Sequence, residues 1–279
     1  MKKLNILTII LLIVGSSGFA QEQVLYKQID STELFMELYR PQKSDTAYKY
    51  PAMVFFFGGG WKGGSRYQFL NQAKYFSKRG LICFLVDYRI EEKHGTSPFE
   101  SLKDAKSAIR YIRKNASELG VDPNKIIAAG GSAGGHLAVA TALIQNYNEE
   151  TDDLSVRCIP NALVLFNPVI DNGPGGYGHA RIGDEYRRFS PIHNLKKETP
   201  PTIFLLGTKD DLVPVETAQY YEKVMKRVGS RCELKLYKGK EHGFFNYKNF
   251  SSYKRTVLHI DKFLKSLGYL NEEPRVRVE

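Results

Sequence analysis

The sequence predicts a three-layer α/β/α sandwich with a mainly parallel central sheet. Three observations predict it. Short, continuous apolar runs recur along the chain, as expected of strands buried on both faces. Segments of helical period fall between them. Strand and helix alternate over most of the length, the pattern of βαβ units. The chain has 279 residues, which suits one large α/β domain.

The elements follow in order. "FMELYR" (residues 35–40) alternates apolar and polar and reads as an early strand. "AMVFFF" (52–57), "LICFLVDY" (81–88), "KIIAAG" (125–130), "ALVLFN" (162–167) and "TIFLLG" (202–207) read as buried strands. "CELKLY" (232–237) reads as a last, less buried one. The first helix is "YQFLNQAKYFSKRG" (67–80), which ends at Gly80. The next, residues 97–120, opens with Ser97-Pro98, an N-cap before a first-turn proline. Leu102, Ala105, Ile109 and Ile112 fall on one of its faces. Two more amphipathic segments, 215–229 and 252–268, also end in glycine. Residues 171–191 and 91–98 are loop-rich, and loops on a rigid sheet often shape binding sites. No repeat or linker divides residues 21–279, so a single domain is expected there.

Composition narrows the class. Hydrophobic content of 42% and charged content of 25% are ordinary for a globular chain. Residues 1–20 run from Lys2 and Lys3 through an apolar stretch to small residues at Gly18 and Ala20. That order is the pattern of a cleaved signal peptide, predicting a periplasmic or secreted protein. The apolar stretch is short for a membrane span, so no stable membrane anchor is expected. The formal net charge is +10, and +8 without Lys2 and Lys3. Its cations are scattered rather than interleaved with aromatics, so no nucleic-acid partner is expected. Cys83, Cys158 and Cys232 are odd in number and widely spaced. They suggest neither a disulfide framework nor a metal site. Cys83 reads as a small buried residue, and the pattern leaves a pairing among the three open.

One turn carries the chemistry. Gly130-Gly131-Ser132-Ala133-Gly134 fits G-x-S-x-G between a predicted strand and a predicted helix. So sharp a turn leaves no room for side chains two residues on either side of the serine. It lifts the Ser132 hydroxyl into the open and puts the Ala133 N–H at a helix N-terminus, where negative charge is favoured. A serine nucleophile needs a base, and the base needs an orienting acid. In hydrolases with this turn the chain order is Ser, acid, His. "LLGTKDDLVP" (205–214) places Asp210 just past a buried strand, with Asp211 and the more distant Asp171 as competitors. "YKGKEHGFFN" (237–246) places His242 in a glycine-flanked loop after the last strand. His136, one turn into the helix after Ser132, reads as packing or capping. His94 and His179 sit in loops, and His193 and His259 read as structural.

"VFFFGGGWKGGSR" (54–66) follows another strand. Glycines let backbone N–H groups face a reacting oxygen without a Cβ in the way. Gly59 and Gly60 are therefore candidate donors beside Ala133 for an oxyanion. A phosphate loop is excluded by the lack of G-x-x-x-x-G-K-[ST]. Trp61 is a candidate platform for a sugar or an aromatic acyl group, with packing as its alternative.

Taken together, "GGGW", "DYR" (87–89), "LKDAKSAIRYIRKNA", "GVDPNKI", "GGSAGGHLA", "GTKDDLVP" and "EHGF" resemble the α/β-hydrolase fold. Within it they resemble secreted bacterial esterases and lipases related to feruloyl and acetylxylan esterases. The resemblance spans nearly all of residues 21–279. It implies a Ser132–His242–Asp210 acyl-transfer site and no metal or organic cofactor. It also implies that Asp104 is a structural helix acid. The chain departs from the family at Phe57, where a histidine usually braces the glycine loop. The expected activity is hydrolysis of acetyl or feruloyl-type esters of plant polysaccharide, or of small-molecule esters. A peptidase or lipid esterase of the same fold, and a non-catalytic binder, are the alternatives.

Overall fold

The computed structural model describes residues 21–42 and 48–279. The leader expected over residues 1–20 lies outside them. Eight strands form one sheet: β1 (Gln21–Ile29), β2 (Thr32–Tyr39), β3 (Tyr50–Phe56), β4 (Ile82–Val86), β5 (Val121–Gly131), β6 (Ala162–Phe166), β7 (Thr202–Gly207) and β8 (Cys232–Tyr237). The spatial order is β1-β2-β4-β3-β5-β6-β7-β8. From β4 to β8 every pairing is parallel, while β1 and β2 add an antiparallel edge.

The continuous apolar runs are explained by burial on both faces. Along β3, Ala52, Val54 and Phe56 join one core, and Met53 and Phe55 join the other. The first core is covered by α3 (Pro98–Lys114), α5 (Ala133–Leu143) and α8 (Val215–Arg227). The second is covered by α1 (Leu70–Lys78) and α9 (Phe250–Ser266). Ser97 and Glu100 form a capping box that starts α3, with Pro98 at its first turn. Residues 97–120 are not one helix, because α3 stops at Asn115 and α4 (Ala116–Leu119) follows. Every residue of α5 is buried, so its small apolar sequence has no wet face to decorate.

Two departures from the sequence reading are informative. Strand β1 was not anticipated. Its "QEQVLYKQI" is mostly polar, yet it pairs with β2 and buries Lys27 against charged partners from elsewhere in the chain. The loop-rich residues 171–191 and 91–98 contain short helices: α2 (Glu91–His94), α6 (His179–Ile182) and α7 (Tyr186–Phe189). The three cysteines are free, with Cys83 and Cys232 buried. Among the described residues no helix is long and apolar enough to cross a membrane.

Candidate active site

The C-terminal ends of β3, β5, β6, β7 and β8 are consecutive in the sheet. They carry, in that order, the glycine loop, Ser132, Asn167, Asp210 and His242. Residues far apart in the chain therefore meet at one edge, the usual place for ligands in parallel α/β sheets.

Ser132 adopts φ 54° and ψ −120°, a conformation unusual for a residue with a side chain. Close approach forces the flanking glycines. A Cβ on Gly130 would stand 2.2 Å from Gly134 O, and one on Gly134 2.1 Å from Phe56 O. The strained turn is pinned by Ser132 N–H donating to Phe166 O (3.0 Å) and by Val169 N–H donating to Ser132 O (3.1 Å).

His242 Nε2 lies 2.9 Å from Ser132 Oγ. Its Nδ1 lies 3.0 and 2.9 Å from the two carboxylate oxygens of Asp210. The Asp210 side chain is fully buried. Its Oδ1 also accepts N–H bonds from Leu212 (3.0 Å) and Val213 (2.9 Å). These contacts fix the carboxylate, which in turn fixes Nδ1 as the protonated ring nitrogen. Nε2 is left as an acceptor for the serine proton. The acid and histidine loops are laced by Lys209 N–H to Lys240 O (2.9 Å) and Gly239 N–H to Thr208 Oγ1 (2.8 Å). Of the competing carboxylates, Asp211 is exposed and Asp171 accepts from the nearby Gly173 N–H.

The glycine loop runs against the serine turn, since a Cβ on Gly58 would be 3.2 Å from Ser132 Cβ. Gly59 (φ 135°) and Gly60 (φ 65°) both have positive φ. Ala133 opens α5, so its N–H has no acceptor within the helix. Residues 177–181 clamp the loop from outside. Arg181 donates to Gly60 O at 2.6 Å, and the Tyr177 hydroxyl would be 2.4 Å from a Cβ on Gly60.

Trp61 needs correction as a substrate platform. It is fully buried. Its ring packs against His136, Tyr177 and Phe189, with the Arg181 guanidinium over it. The segment after β6 folds across the indole, so no face is open for a ligand to stack on. His136 is equally buried. Its Nε2 donates to Phe189 O (3.0 Å), and burial pushes its pKa down to about 3. Asp104 is buried between Lys27 (2.7 Å) and Arg89 (2.8 Å).

Three polar residues of the site were missed from sequence. Asn167, fully buried at φ 33°, accepts the Gly243 N–H (3.0 Å) and stands 3.3 Å from His242 Nε2. Gln68 and Asn246 bond each other at 3.1 Å. A polar residue ending an apolar strand is a signal that could have flagged Asn167. Gln68 and Asn246 carry no such signal. Among the described residues no cluster of His, Cys, Asp and Glu could hold a metal ion.

A strained serine turn, an adjoining glycine loop and a histidine–aspartate pair at the edge of a parallel sheet define a serine hydrolase of the α/β type. The chain belongs to the α/β-hydrolase family, within its esterases. The apo structure of Thermogutta terrifontis esterase 2 superposes with a TM-score of 0.87 at 40% identity, covering 91% of this chain and 97% of that one. The butyrate-bound form of that esterase gives 0.86 at 38% identity, covering 92% and 96%. An acetylxylan esterase of Xylanibacter ruminicola is 28% identical over 233 residues, 77% of this chain and 45% of its own length. The BD-FAE family matches residues 36–172, and the prolyl oligopeptidase family matches residues 171–267. The chain spans about half the length of the curated relatives it matches.

Proposed function

We propose that this chain is a serine carboxylesterase cleaving short acyl or aromatic esters, with acetyl and feruloyl groups of plant polysaccharide as its substrate class. The observation that carries the reading is the unbroken hydrogen-bond chain from Ser132 Oγ through His242 to Asp210. In the first step Ser132 Oγ attacks the ester carbonyl as His242 Nε2 takes its proton. Asp210 keeps the ring oriented and offsets the charge of the imidazolium. The oxygen of the tetrahedral intermediate is held by the N–H groups of Gly59, Gly60 and Ala133, each such donor being worth about 3 kcal/mol in a transition state. The alcohol departs with the proton from His242. A water molecule, deprotonated by the same nitrogen, then releases the acid and restores the Ser132 hydroxyl.

The acetylxylan esterase relative and the butyrate held by the Thermogutta enzyme support short acyl groups. The leader-like residues 1–20 support export to the periplasm or beyond, which places the enzyme with extracellular polymers. The reading is tested with p-nitrophenyl acetate and butyrate, then acetylated and feruloylated xylan, comparing wild type with Ser132→Ala. Ester turnover that vanishes in the variant is expected, and a wild type inactive on every ester sinks the reading. The prolyl oligopeptidase match over residues 171–267 favours peptide cleavage as the second reading. Turnover of peptides but not esters would select it.

A further inference from the structure

The residue expected to brace the glycine loop is absent, because position 57 is a phenylalanine. Its ring stacks on Tyr88 at 4.1 Å, and the Tyr88 hydroxyl donates to Phe57 O at 2.6 Å. That packing fixes the end of β3 from one side. It offers no polar side-chain contact towards the histidine turn.

Gln68 supplies one. It sits on the 3-10 turn Arg66–Phe69, half-buried. Gly58 N–H lies 2.6 Å away and can only donate, so the facing amide atom of Gln68 is Oε1. Nε2 then points to Asn246, 3.1 Å away, whose facing atom is Oδ1. Asn246 Nδ2 in turn donates to Gly243 O at 2.9 Å. Every donor in the series meets an acceptor. One glutamine thus links the first residue of the glycine loop to the residue following His242.

We propose that Gln68 is a positioning residue that holds the glycine loop and the histidine turn in register. It sets the Gly59 and Gly60 N–H groups and His242 Nε2 to address the same reacting oxygens. The proposal rests on the esterase reading above and deepens it. The hydrogen bonds of its side chain go to Gly58 and Asn246, so it acts through the two loops.

The test compares wild type with Gln68→Ala, Asn246→Ala, the double variant and Gln68→Glu. Turnover is measured on p-nitrophenyl butyrate, and Ser132 phosphorylation by diethyl p-nitrophenyl phosphate is followed by mass spectrometry. Each alanine variant is expected to lose about 10- to 100-fold in kcat, since small misplacements in an active site cost that much. KM should stay within about threefold. The double variant should be no slower than the slower single variant, because both cut one link. Gln68→Glu keeps an acceptor for Gly58 but offers Asn246 no proton at neutral pH, and should fall between wild type and alanine. A role in packing alone would instead lower Tm and leave kcat per folded molecule unchanged.

Gln68→Ala or Gln68→Glu within twofold of wild type overturns the proposal, as do single losses that multiply in the double variant. If wild type is phosphorylated at Ser132 yet hydrolyses no ester, the substrate reading fails. The Gln68 series is then judged from the phosphorylation rates by the same criteria.

Discussion

Two polar clusters of the molecule differ in what they join. At the antiparallel edge, Lys27 of β1 and Arg89 after β4 each pair with both Asp104 of α3 and Glu149, at 2.7–2.9 Å. Two cations meet two carboxylates, and Arg89 and Asp104 also bond through N–H groups in a fork. The charges of that cluster pair with one another, and Lys27 also donates to Ser107, which bonds Asp152. The line from Asp210 through His242 instead ends at the Ser132 hydroxyl, on a half-buried residue at the sheet's rim. In the first, each cation faces two carboxylates that offset its charge. In the second, a hydroxyl faces a ring nitrogen that can accept its proton. Matched buried charge joins β1 to α3, whereas the hydrogen-bond chain ending at Ser132 is the one the proposed reaction uses.

Substitutions should separate the two. The largest effect is expected from Ser132→Ala, with ester turnover falling on the order of 10⁶-fold and Tm nearly unchanged, measured by hydrolysis and calorimetry. Asp210→Asn should follow, losing about 10⁴-fold because the amide favours the wrong imidazole tautomer, again with little loss of stability. Asp104→Ala should do the converse. It leaves Lys27 and Arg89 to share Glu149 in a buried setting and should cost about 3–5 kcal/mol in denaturant unfolding, with kcat per folded molecule retained. If Asp104→Ala lowered kcat as steeply as Asp210→Asn, the division between the clusters would collapse.

At neutral pH the smallest effect is that at His136, which shows as a dependence of stability on pH. Its folded pKa of about 3 lies below the ordinary histidine value of about 6.5. Above about 6.5 both folded and unfolded chains hold it neutral. As pH falls from there towards 3, the unfolded chain takes up a proton that the folded chain refuses, so stability drops. One group contributes at most about 1.4 kcal/mol per pH unit in that window. His136→Gln, which keeps a donor for Phe189 O, should flatten the measured dependence of stability on pH by that one proton.

Much of this was legible in the chain because its signals are local. The glycines of the serine turn sit two residues from Ser132 and are demanded by contacts of about 2 Å. Strand β7 coincides with its apolar run because burial on the sheet stops where that run stops. Other features have no local signal. Lys27 makes β1 look like surface, and its carboxylate partners lie 77 and 122 positions away. Trp61 looks like an open platform in a glycine-rich loop, and only the fold of residues 177–189 over it shows otherwise. Gln68 and Asn246 are 178 positions apart.

The sequence alone determined the alternation of strand and helix, the strained serine turn and the order of serine, acid and histidine. Each of these depends on steric or hydrophobic pattern within a few residues. The tertiary structure alone decided which glutamine and asparagines lie beside the site, which aromatic is sealed away and which charges pair at the far edge. Hydrogen bonds and ion pairs are set by distance in space, and chain separation carries no record of that distance until the sheet is assembled.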